Sequence, residues 1–494
     1  MAQSSGSSAR ILYKIEAENG VTPSTDSGAD TTLAAAVNPG ATQITVASDT
    51  SIAAGDILRI GTNQNLEFVK VASGYSSGTT VDLDPNTKIN YRHESGEAVK
   101  ETDPTGNWFL LGNVRSFTPS GGRPLQRSQA LAGSRVLSNF REGNYDAGAD
   151  MTVELDLASA GLFFAHALSN TYSSAGTTQG SSPVTTTLAS AAAAGATSIE
   201  LADATNIADN VYLLVDTGAN AEIVKVDPTW TSGTTIPLHT ANNPLGLRKA
   251  HDTGVAVVEK IAPFTHSVIR GSSIPEGISF LLVFDDITSL MLVAGSKISN
   301  ITLNVTPDDL PTLNCTVNSK RYQIMSEDIL TGGSPTSIEM VPYAHWEAAI
   351  EIDDAAQTTN QLTNLSLSIE NTIQSAFVIG SPIKGAITPG EGAVTGNFTY
   401  QFESQQFSEK TVAGTETKLA FNWTYIGDDN HAVAITVPKA KFEGNPHPGV
   451  SSKDPITDEM SFLARLDPAT GTDITVAITS NQTNLEFNVE DVSQ

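Results

Sequence analysis

Side chains that could support catalysis are few and scattered in this sequence. The eight histidines form no His-Glu-x-x-His pair, and the segment ASAGLFF is not a Gly-x-Ser-x-Gly nucleophile turn. No glycine-rich phosphate loop followed by Lys-Ser or Lys-Thr occurs either. We therefore predict that the protein is not an enzyme, and we assign it no catalytic, cofactor-binding or metal-binding residues.

Two acidic turns and one cysteine are the remaining candidates for metal or redox chemistry. DLDPNTK from Asp82 and DPATGTD from Asp467 offer oxygen ligands, but neither has the spacing and terminal Glu of an EF-hand loop. Asp-Pro and Gly turns explain both segments better, and a weakly bound cation stays open as the alternative. Cys315 lies in the strand-like TLNCTV, so we expect a small buried residue and no internal disulfide.

Three further residue types suggest binding or modification rather than catalysis. His93 and His251 stand before glycine turns at equivalent points of a repeat, which indicates a structural or solvent-facing role for both. Trp230 lies on a turn, where plain packing is the favoured interpretation and contact of the ring with a glycan or a host surface is the alternative. Asn-x-Ser/Thr triplets would be glycosylated only on an exported surface, and Thr- and Asn-rich strands also produce them by composition; they begin at Asn300, Asn304, Asn314, Asn364, Asn397, Asn422 and Asn481.

The composition favours a β-rich structural protein of several domains. The 494 residues carry 54 acidic and 27 basic side chains, a net charge of -27, so binding of nucleic acid by basic clusters is excluded. The acidity fits a surface past which a polyanion slides, or a hydrated carboxylate coat suited to high salt. No stretch is long and apolar enough to span a membrane, and MAQSSGSSAR does not read as a signal peptide.

One small unit is written twice. GATQITVASDTSIAAGD begins at Gly40 and returns as GATSIELADATNIADNV at Gly195, 155 residues later. The spacing drifts to 158 residues where HESGEAV at His93 answers HDTGVAV at His251. Both copies alternate Ile, Val or Leu with polar residues and break at Gly, Asn and Asp, which predicts two small all-β domains of roughly 70 residues each.

The rest of the chain is also repetitive. GSRVLSNFREGNYDAGADMTVELD from Gly133 aligns with GSPIKGAITPGEGAVTGNFTYQFE from Gly380, and each copy ends in an alternating apolar strand. The apolar positions are Met151, Val153 and Leu155 in one copy and Phe398, Tyr400 and Phe402 in the other. DDLPTLNCTVNS and DPITDEMSFLARLD then close the two copies. We interpret this as two copies of one antiparallel β fold, with both small domains inserted in loops of the first.

Only one segment outside the inserts has a helical pattern. LASAGLFFAHALSN places Leu157, Ala160, Phe164 and Leu168 on one stripe, after Asp156, which suits a helix start. We expect a short amphipathic helix that flanks an antiparallel β-sandwich. The predicted boundaries are an N-terminal arm at 1–30, inserted domains at 31–104 and 176–260, copy A at 105–175 and 261–325, a linker at 326–360 and copy B at 361–494.

Several of these segments together resemble the tail tube proteins of long-tailed (siphovirus-like) viruses of bacteria or archaea. The segments are YKIEAENGVTPS, the run from SRVLSNF to FFAHAL, LTNLSLSIEN, GEGAVTGNFTYQF and the ending from VAITVPKAKFEG to VAITSNQ. They occur in the family's order and cover the chain outside the inserts. The resemblance implies a β-sandwich whose sheets join across subunits into a ring, with rings stacked into a tube that conducts viral DNA.

The resemblance, together with the duplication, sets the expected partners. Rings of this family have six folds, so a chain with two folds is expected to form a homotrimer with pseudo-sixfold symmetry, and a hexameric ring is the alternative. Stacking is expected to use the N-terminal arm and the hairpin around SFTPSGGRPLQRSQALAG. Other expected partners are the tape measure, tail terminator and distal tail proteins, with viral DNA passing an acidic lumen without specific binding, no cofactor and no membrane.

The expected location is the tail of the virion, assembled in the host cytoplasm, with a halophilic host as one explanation of the acidity. A surface or adhesin-like protein that binds carbohydrate is the alternative function. Adhesins string their modules in tandem, whereas these modules interrupt another fold, so the tail tube interpretation is preferred.

Overall fold

The structure is a computed structural model of the whole chain. It describes residues 9–62, 65–105, 108–128, 140–174, 184–217, 220–239, 246–247, 249–260, 264–331, 336–337, 341–357, 361–379, 381–425, 431–444, 449 and 455–480.

Strands dominate these residues. The first nineteen are β1 Ala9–Ile15, β2 Thr25–Thr32, β3 Gln43–Thr45, β4 Ile57–Ile60, β5 Glu67–Lys70, β6 Thr80–Asp82, β7 Ala98–Asp103, β8 Phe109–Leu110, β9 Val114–Gly122, β10 Leu125–Arg127, β11 Phe140–Glu142, β12 Asp146–Glu154, β13 Ser169–Ser174, β14 Thr185–Thr187, β15 Ser198–Glu200, β16 Tyr212–Val215, β17 Glu222–Lys225, β18 Thr235–Pro237 and β19 Ala256–Lys260.

The remaining strands are β20 Phe264–Arg270, β21 Ile278–Phe284, β22 Ser289–Val305, β23 Thr312–Ser319, β24 Arg321–Met325, β25 Thr336–Ser337, β26 Ala348–Ile352, β27 Ala355–Ala356, β28 Leu362–Glu370, β29 Gln374–Phe377, β30 Lys384–Thr388, β31 Ala393–Gln401, β32 Thr417–Thr424, β33 Ala432–Glu443, β34 Thr457–Ala464 and β35 Thr475–Ser480. The helices are α1 Leu157–Leu168 and α2 Gln406–Ala413, with a 3-10 turn at His345–Glu347.

Two antiparallel sheets form the body of the protein. Sheet 1 has the order β9-β12-β23-β22-β28-β31-β34-β33, and sheet 2 has the order β13-β20-β35-β33-β32-β26-β27. The long strand β33 belongs to both sheets, because its first half pairs with β32 and β35 and its end pairs with β34. The one parallel pair in the described sheets is the short contact of β25 with β8. The all-β, antiparallel fold predicted from the sequence is confirmed.

One continuous apolar core lies between sheet 1 and sheet 2. It contains the alternating positions that the sequence marks as inward-facing: Met151, Val153, Leu155, Phe398 and Tyr400 are all buried, and Phe402 packs partly buried against them. Phe398 is at the centre of an aromatic group with Phe407, Phe442 and Phe462. Alternation along each strand therefore places one face in the core and leaves the other exposed.

Helix α1 occurs where the sequence predicts it and begins at the predicted cap. The Asp156 carboxylate accepts a hydrogen bond from the Ser159 amide at 2.6 Å, and the Ser159 hydroxyl accepts one from the Asp156 amide at 3.0 Å, which completes a capping box. The expectation of an amphipathic helix is wrong, because every residue except Ala158 is buried. The helix packs against β22 of sheet 1 and β20, β33 and β35 of sheet 2, so it has no solvent face.

A second helix was not expected from the sequence. In α2, Phe407 and Ser408 are buried while Val412 is 73% exposed, so no apolar stripe marks the segment. Its clearest signal is Gly414, which has φ +64° and ends the helix in the left-handed conformation that favours glycine.

Two small units of strands lie between the strands of the sandwich. We name them insert 1 (β2–β7) and insert 2 (β14–β19). The four-stranded sheets β2-β7-β4-β5 and β14-β19-β16-β17 have the same order, and each is accompanied by a two-stranded ribbon, β3-β6 or β15-β18. Their registers agree across the 155-residue spacing: Ile57 faces Lys70 as Tyr212 faces Lys225, and Gln43 faces Asp82 as Ser198 faces Pro237. Each insert has its own apolar core.

Insert 1 is packed firmly on a third layer of strands, β8-β1-β21-β22-β24. Leu66 and Phe68 of the insert are buried in one cluster with Trp108 and Met325 of the sandwich. The Phe68 amide donates to Gln323 Oε1 at 3.1 Å, and Gln323 Nε2 donates to the Phe68 carbonyl at 2.6 Å. The side chain of Gln323 thus satisfies the edge strand of the insert.

Two predicted boundaries differ from the strands. Within the N-terminal arm of the tube fold predicted at 1–30, Ala9–Ile15 pairs with β21 on one side and β8 on the other, whereas residues 25–30 belong to β2 of insert 1. Within the predicted linker 326–360, Ala348–Ile352 pairs with β32. Turn-rich sequence hid these strands because short strands carry little periodicity.

Candidate functional site

The residues singled out for chemistry do not come together in the structure. Cys315 is buried in β23, and burial raises the pKa of its thiol. Asp82 is exposed and accepts from Gln43, while Asp467 accepts from the Ala469 amide within its own turn. In the described ranges no three His, Cys, Asp or Glu side chains are arranged to hold a metal ion.

The two candidates for surface recognition are buried. Trp230 is only 9% exposed and belongs to the core of insert 2, so the favoured packing interpretation is confirmed and the alternative of a glycan contact is wrong. His93 and His251 are both buried, each between two carboxylates, so the structural role holds and the solvent-facing one does not.

The outward face of sheet 1, which we name the polar face, is a surface that extends over seven strands. Its side chains are mainly hydroxyls and amides, from Ser116, Thr118 and Ser120 (β9); Asp150, Thr152 and Glu154 (β12); Asn314, Thr316 and Asn318 (β23); Asn300, Thr302 and Asn304 (β22); Asn364, Ser366, Ser368 and Glu370 (β28); Thr395, Asn397, Thr399 and Gln401 (β31); and Thr457, Glu459 and Ser461 (β34).

Hydrogen bonds between neighbouring strands order the polar face. Thr152 donates to Asn314 at 2.9 Å, and Ser366 donates to Asn304 at 3.0 Å. Asn397 Nδ2 donates to Glu459 at 2.9 Å. Such cross-strand pairs hold side chains in register, so the face is a fixed polar surface and not a loose fringe.

The Asn-x-Ser/Thr triplets are the sequence signal of this face. Asn300, Asn304, Asn314, Asn364 and Asn397 all point outward, because a spacing of two places Asn and the following Ser or Thr on the same side of a strand. As glycosylation sites, the triplets do not indicate a function. Because their two-residue spacing matches the two-residue repeat of a strand, they instead mark the polar face, which was not predicted from the sequence.

The charge of the polar face is mostly negative. Asp150, Glu154, Glu370 and Glu459 contribute carboxylates across three strands. Among the described residues, cations occur at its margins, where Arg115 lies 2.9 Å from Glu154 and 2.6 Å from Asp309, and where Lys297 and Lys441 are found. Hydrogen bonds from Arg115 lower the pKa of Asp309 to about 2. The middle of the face carries no cluster of cations that would hold a polyanion.

Sheet 1 consists of two matching sets of four strands. β9, β12 and β23 have nine, nine and eight residues, as do β28, β31 and β34. β12 pairs with β9 and β23, and β31 pairs with β28 and β34. The fourth strand is β22 in one set and the end of β33 in the other. The sets meet where β22 pairs with β28, from Asn300 facing Glu370 to Val305 facing Leu365.

The outer ends of the two sets are open. β28 is paired on both sides, whereas its counterpart β9 pairs only with β12 among the described strands. Pro119 lies in β9, a position that an edge strand tolerates because proline lacks an amide donor. Helix α1 is covered by strands of both sets, but α2 packs on β33 and exposes Val412.

Two hairpins expose apolar side chains beyond the sandwich. Leu125 and Phe140 on β10 and β11 are 57% and 67% exposed. Val378 and Ile379, at the turn between β29 and β30, are 49% and 108% exposed. Neighbouring exposed apolar side chains of this kind mark a contact surface. Residues 129–139 of the hairpin predicted to mediate stacking, and residues 1–8 of the arm, lie outside the described residues.

An exposed polar sheet face, open strand edges and apolar hairpins are features of an assembly subunit. A protein-family model described as phage tail tube protein matches residues 85–464. The chain belongs to the phage tail tube protein family. No curated protein has a sequence that matches this one.

This membership confirms the tail tube part of the resemblance, and it makes the chain a structural component of the phage tail within the virion. As a tail tube protein, it belongs to a family whose members assemble with themselves and meet other tail proteins. Neither described helix has the length and hydropathy needed to cross a membrane.

Proposed function

We propose that three copies of this tail tube protein close into a ring with pseudo-sixfold symmetry, and that the rings stack head to tail into the tail tube. The observation that carries the proposal is the continuous eight-stranded sheet 1 with its two matching sets of four strands. One chain thus supplies two sixths of a ring, and the junction of β22 with β28 is an internal copy of the contact that joins neighbouring chains.

The open edges support this closure. In the ring, β9 of one protomer lies alongside the end of β33 of its neighbour, just as β28 lies alongside β22 within the chain. The exposed side of α2 is then covered by that neighbour, as α1 is covered within the chain. Ring closure removes the exposed edge strands that would otherwise invite irregular aggregation.

We propose that the polar face lines the lumen and that viral DNA passes it without specific binding. Hydroxyl and amide side chains offer no charge to the phosphates, and the carboxylates of Asp150, Glu370 and Glu459 repel them at short range. The proposed lumen lining is acidic because each chain contributes a few carboxylates to it. Most of the net charge of -27 lies elsewhere on the chain, and this distribution fits a surface adapted to high salt in a halophilic host.

The hairpins are proposed as the stacking elements. The tips with Leu125 and Phe140 and with Val378 and Ile379 present apolar surface that the next ring would bury. A head-to-tail contact of this type does not close and so generates a filament. Tape measure, terminator and distal tail proteins would meet the tube at its lumen and ends, with assembly in the host cytoplasm of a long-tailed virus.

The domain division proposed is a duplicated tube fold interrupted by insert 1 and insert 2. The agreement of registers between the inserts supports two copies of one small domain. Both would decorate the tube away from the lumen, because neither contributes a strand to sheet 1.

Mass measurement of the smallest ring, with negative-stain electron microscopy of protein at its native salt, tests the proposal. Tubes with rings of three 51.8-kDa chains are expected. Rings of six chains would agree with a tube that conducts DNA but would refute the interpretation of the β22–β28 junction as an internal copy of the subunit contact. Elongated monomers that never assemble would refute both the tube function and this interpretation.

A pair of variants tests the edge. Val412→Asp should abolish ring formation and leave the monomer folded, because it places a charge on the surface that the neighbour covers. Ile287→Asp is the matched control, since Ile287 is also exposed, at 43%, but lies in the turn between β21 and β22. Equal assembly of the two variants would argue against α2 as a subunit contact.

A lysine variant tests the lumen. Thr302→Lys, in the middle of sheet 1, should make preformed tubes retain duplex DNA in a salt-dependent way, because it creates a ring of cations. Ile287→Lys is the control. No difference between them would refute the assignment of the polar face to the lumen.

A further inference from the structure

Each insert buries a histidine between two carboxylates. In insert 1, His93 Nε2 lies 2.7 Å from Glu67 Oε1 and His93 Nδ1 lies 2.8 Å from Glu97 Oε2. In insert 2, His251 Nε2 lies 2.7 Å from Glu222 Oε1 and Nδ1 lies 3.2 Å from Asp216 Oδ2. Both imidazole rings are inaccessible to solvent, as are Glu67 and Glu222.

The second carboxylate comes from different places in the two copies. Glu97 precedes β7, and the corresponding residue of insert 2 is Val255. Asp216 follows β16, and the corresponding residue of insert 1 is Gly61. Gly61 has φ +83° and Asp216 has φ +68°, so insert 2 keeps the left-handed turn and uses its side chain to reach the histidine. The same arrangement is therefore built twice from unequal positions.

The distances define the protonation state that this arrangement needs. A neutral imidazole donates from one nitrogen only, whereas a carboxylate oxygen within hydrogen-bond distance of each nitrogen requires two donors. The Asn65 amide, 3.2 Å from His93 Nδ1, also donates to both oxygens of Glu97, so it completes the shell of the carboxylate and does not replace the histidine proton. The geometry is that of a buried imidazolium.

In insert 1, the His93–Glu67 pair fixes the loop from Asn90 to His93, which contacts β24. Glu67 also accepts from the amides of Asn90, at 2.8 Å, and Tyr91, at 3.2 Å. The Tyr91 ring lies edge-on to Tyr145 with centroids 4.8 Å apart, and the Tyr91 hydroxyl accepts from the Tyr322 amide at 2.9 Å. The Tyr145 hydroxyl donates to the Asn90 carbonyl at 2.9 Å. Release of Glu67 would therefore loosen the contact of insert 1 with β24.

We propose that His93 is an alkaline-sensitive latch whose imidazolium fixes insert 1 in place on the tube body, and that His251 closes the matching loop of insert 2 in the same way. His93 and His251 act as positioning residues in this scheme. Loss of one proton leaves a buried carboxylate without its donor, and the loop from Asn90 to His93 opens.

The surrounding charges set the direction of the response. Burial lowers the pKa of His93, but the hydrogen bonds and charges of Glu67 and Glu97 together outweigh it and raise this pKa. For His251, burial is likewise outweighed by Glu222 and Asp216, which raise its pKa. The buried Arg321 on β24 faces Glu67 and Glu16, and the exposed Arg92 pairs with Glu94 beside the loop. A raised pKa in the folded state means that the stabilisation is complete below the unfolded pKa of about 6.5 and is lost as pH rises through the folded value.

Hydrogen exchange by mass spectrometry on the full-length protein, from pH 7 to about 10, tests the latch after correction for intrinsic exchange. In the wild type, the peptide with the Asn90 and Tyr91 amides should lose protection roughly tenfold to a hundredfold. In Glu97→Gln this step should disappear, because the glutamine amide donates to Nδ1 of a neutral histidine. Asp216→Asn should abolish only the step at the Lys249 amide, which donates to Glu222 at 3.2 Å.

Either of two results would overturn the proposal: wild-type exchange at Asn90 and Tyr91 that follows the intrinsic rate alone, or an unchanged step in Glu97→Gln. His93→Gln should abolish the step as well, and if that variant does not fold, the Glu97→Gln comparison still decides. Ring assembly does not enter the measurement, so its outcome is independent of the proposed function.

Discussion

Phe68→Ala should detach insert 1 from the tube body without unfolding the insert. Phe68 and Val69 are neighbours on β5, both fully buried, but they point in opposite directions. Phe68 packs in the cluster with Trp108 and Met325, whereas Val69 packs in the core of insert 1. Substitution of Phe68 therefore tests the contact of insert 1 with the body, and substitution of Val69 tests the folding of insert 1 itself.

The expected cost follows from the side chain removed. Truncating a buried phenylalanine to alanine costs about 3–5 kcal/mol, and here that loss falls on the contact between insert and body. The open form of this contact should then become about 10²- to 4 × 10³-fold more populated, since 1.4 kcal/mol is a factor of ten. Val69→Ala removes two methyl groups and should cost about 2 kcal/mol within the insert.

Hydrogen exchange separates the two outcomes. In Phe68→Ala, protection should fall at Glu67–Lys70 and Arg321–Met325 and persist at the ribbon of Gln43–Thr45 with Thr80–Asp82. In Val69→Ala the ribbon should lose protection. If Phe68→Ala unprotects the ribbon as strongly as Val69→Ala does, insert 1 and the body form one cooperative unit, and the reasoning from separate cores is refuted.

Three further outcomes are expected. Phe398→Ala should lower the free energy of unfolding by about 3–5 kcal/mol in denaturant titrations, because its ring centroid lies 5.1 Å from that of Phe407 and 5.9 Å from that of Phe442, and a loss below about 1 kcal/mol would contradict this. Burial raises the pKa of Asp156 to about 6, so the native state holds this proton more tightly and wild-type stability should fall by up to about 3 kcal/mol as pH rises from about 4 to about 6. Asp156→Asn keeps the helix cap and should remove that part of the pH dependence in urea titrations at the two pH values, and identical slopes would refute the assignment. Cys315 should resist a thiol reagent in the native protein and react only on unfolding, because it is buried and its thiol pKa is raised, and prompt labelling would contradict its position in β23.

Features that depend on local sequence patterns were predicted correctly from the sequence. Alternation at Met151, Val153 and Leu155 and at Phe398 and Tyr400 identified core strands, and the polar residue before LASAGLFF identified the cap of α1. The resemblance to tail tube proteins was read from ordered strand and glycine patterns, and the family model matches residues 85–464. The resemblance needed no knowledge of which strands pair.

The errors arise where burial depends on distant partners. Helix α1 reads as amphipathic, yet it is buried on all sides because β33 and β35, far along the chain, cover it. Helix α2 was missed because Phe407 is its only buried apolar side chain, and the rings that Phe407 packs against lie on β31 and β33.

By itself, then, the sequence determined the β class, the repeated inserts as a pattern, the cap of α1 and the family, since periods of two residues, turn residues and caps are written within a few positions. Only the tertiary structure decided that β22 pairs with β28, that the polar residues of seven strands share one face, and that each insert histidine meets a second carboxylate from a different position. Those relations join residues tens to hundreds of positions apart, and their free energy comes from contacts that exist only once the sheets have formed.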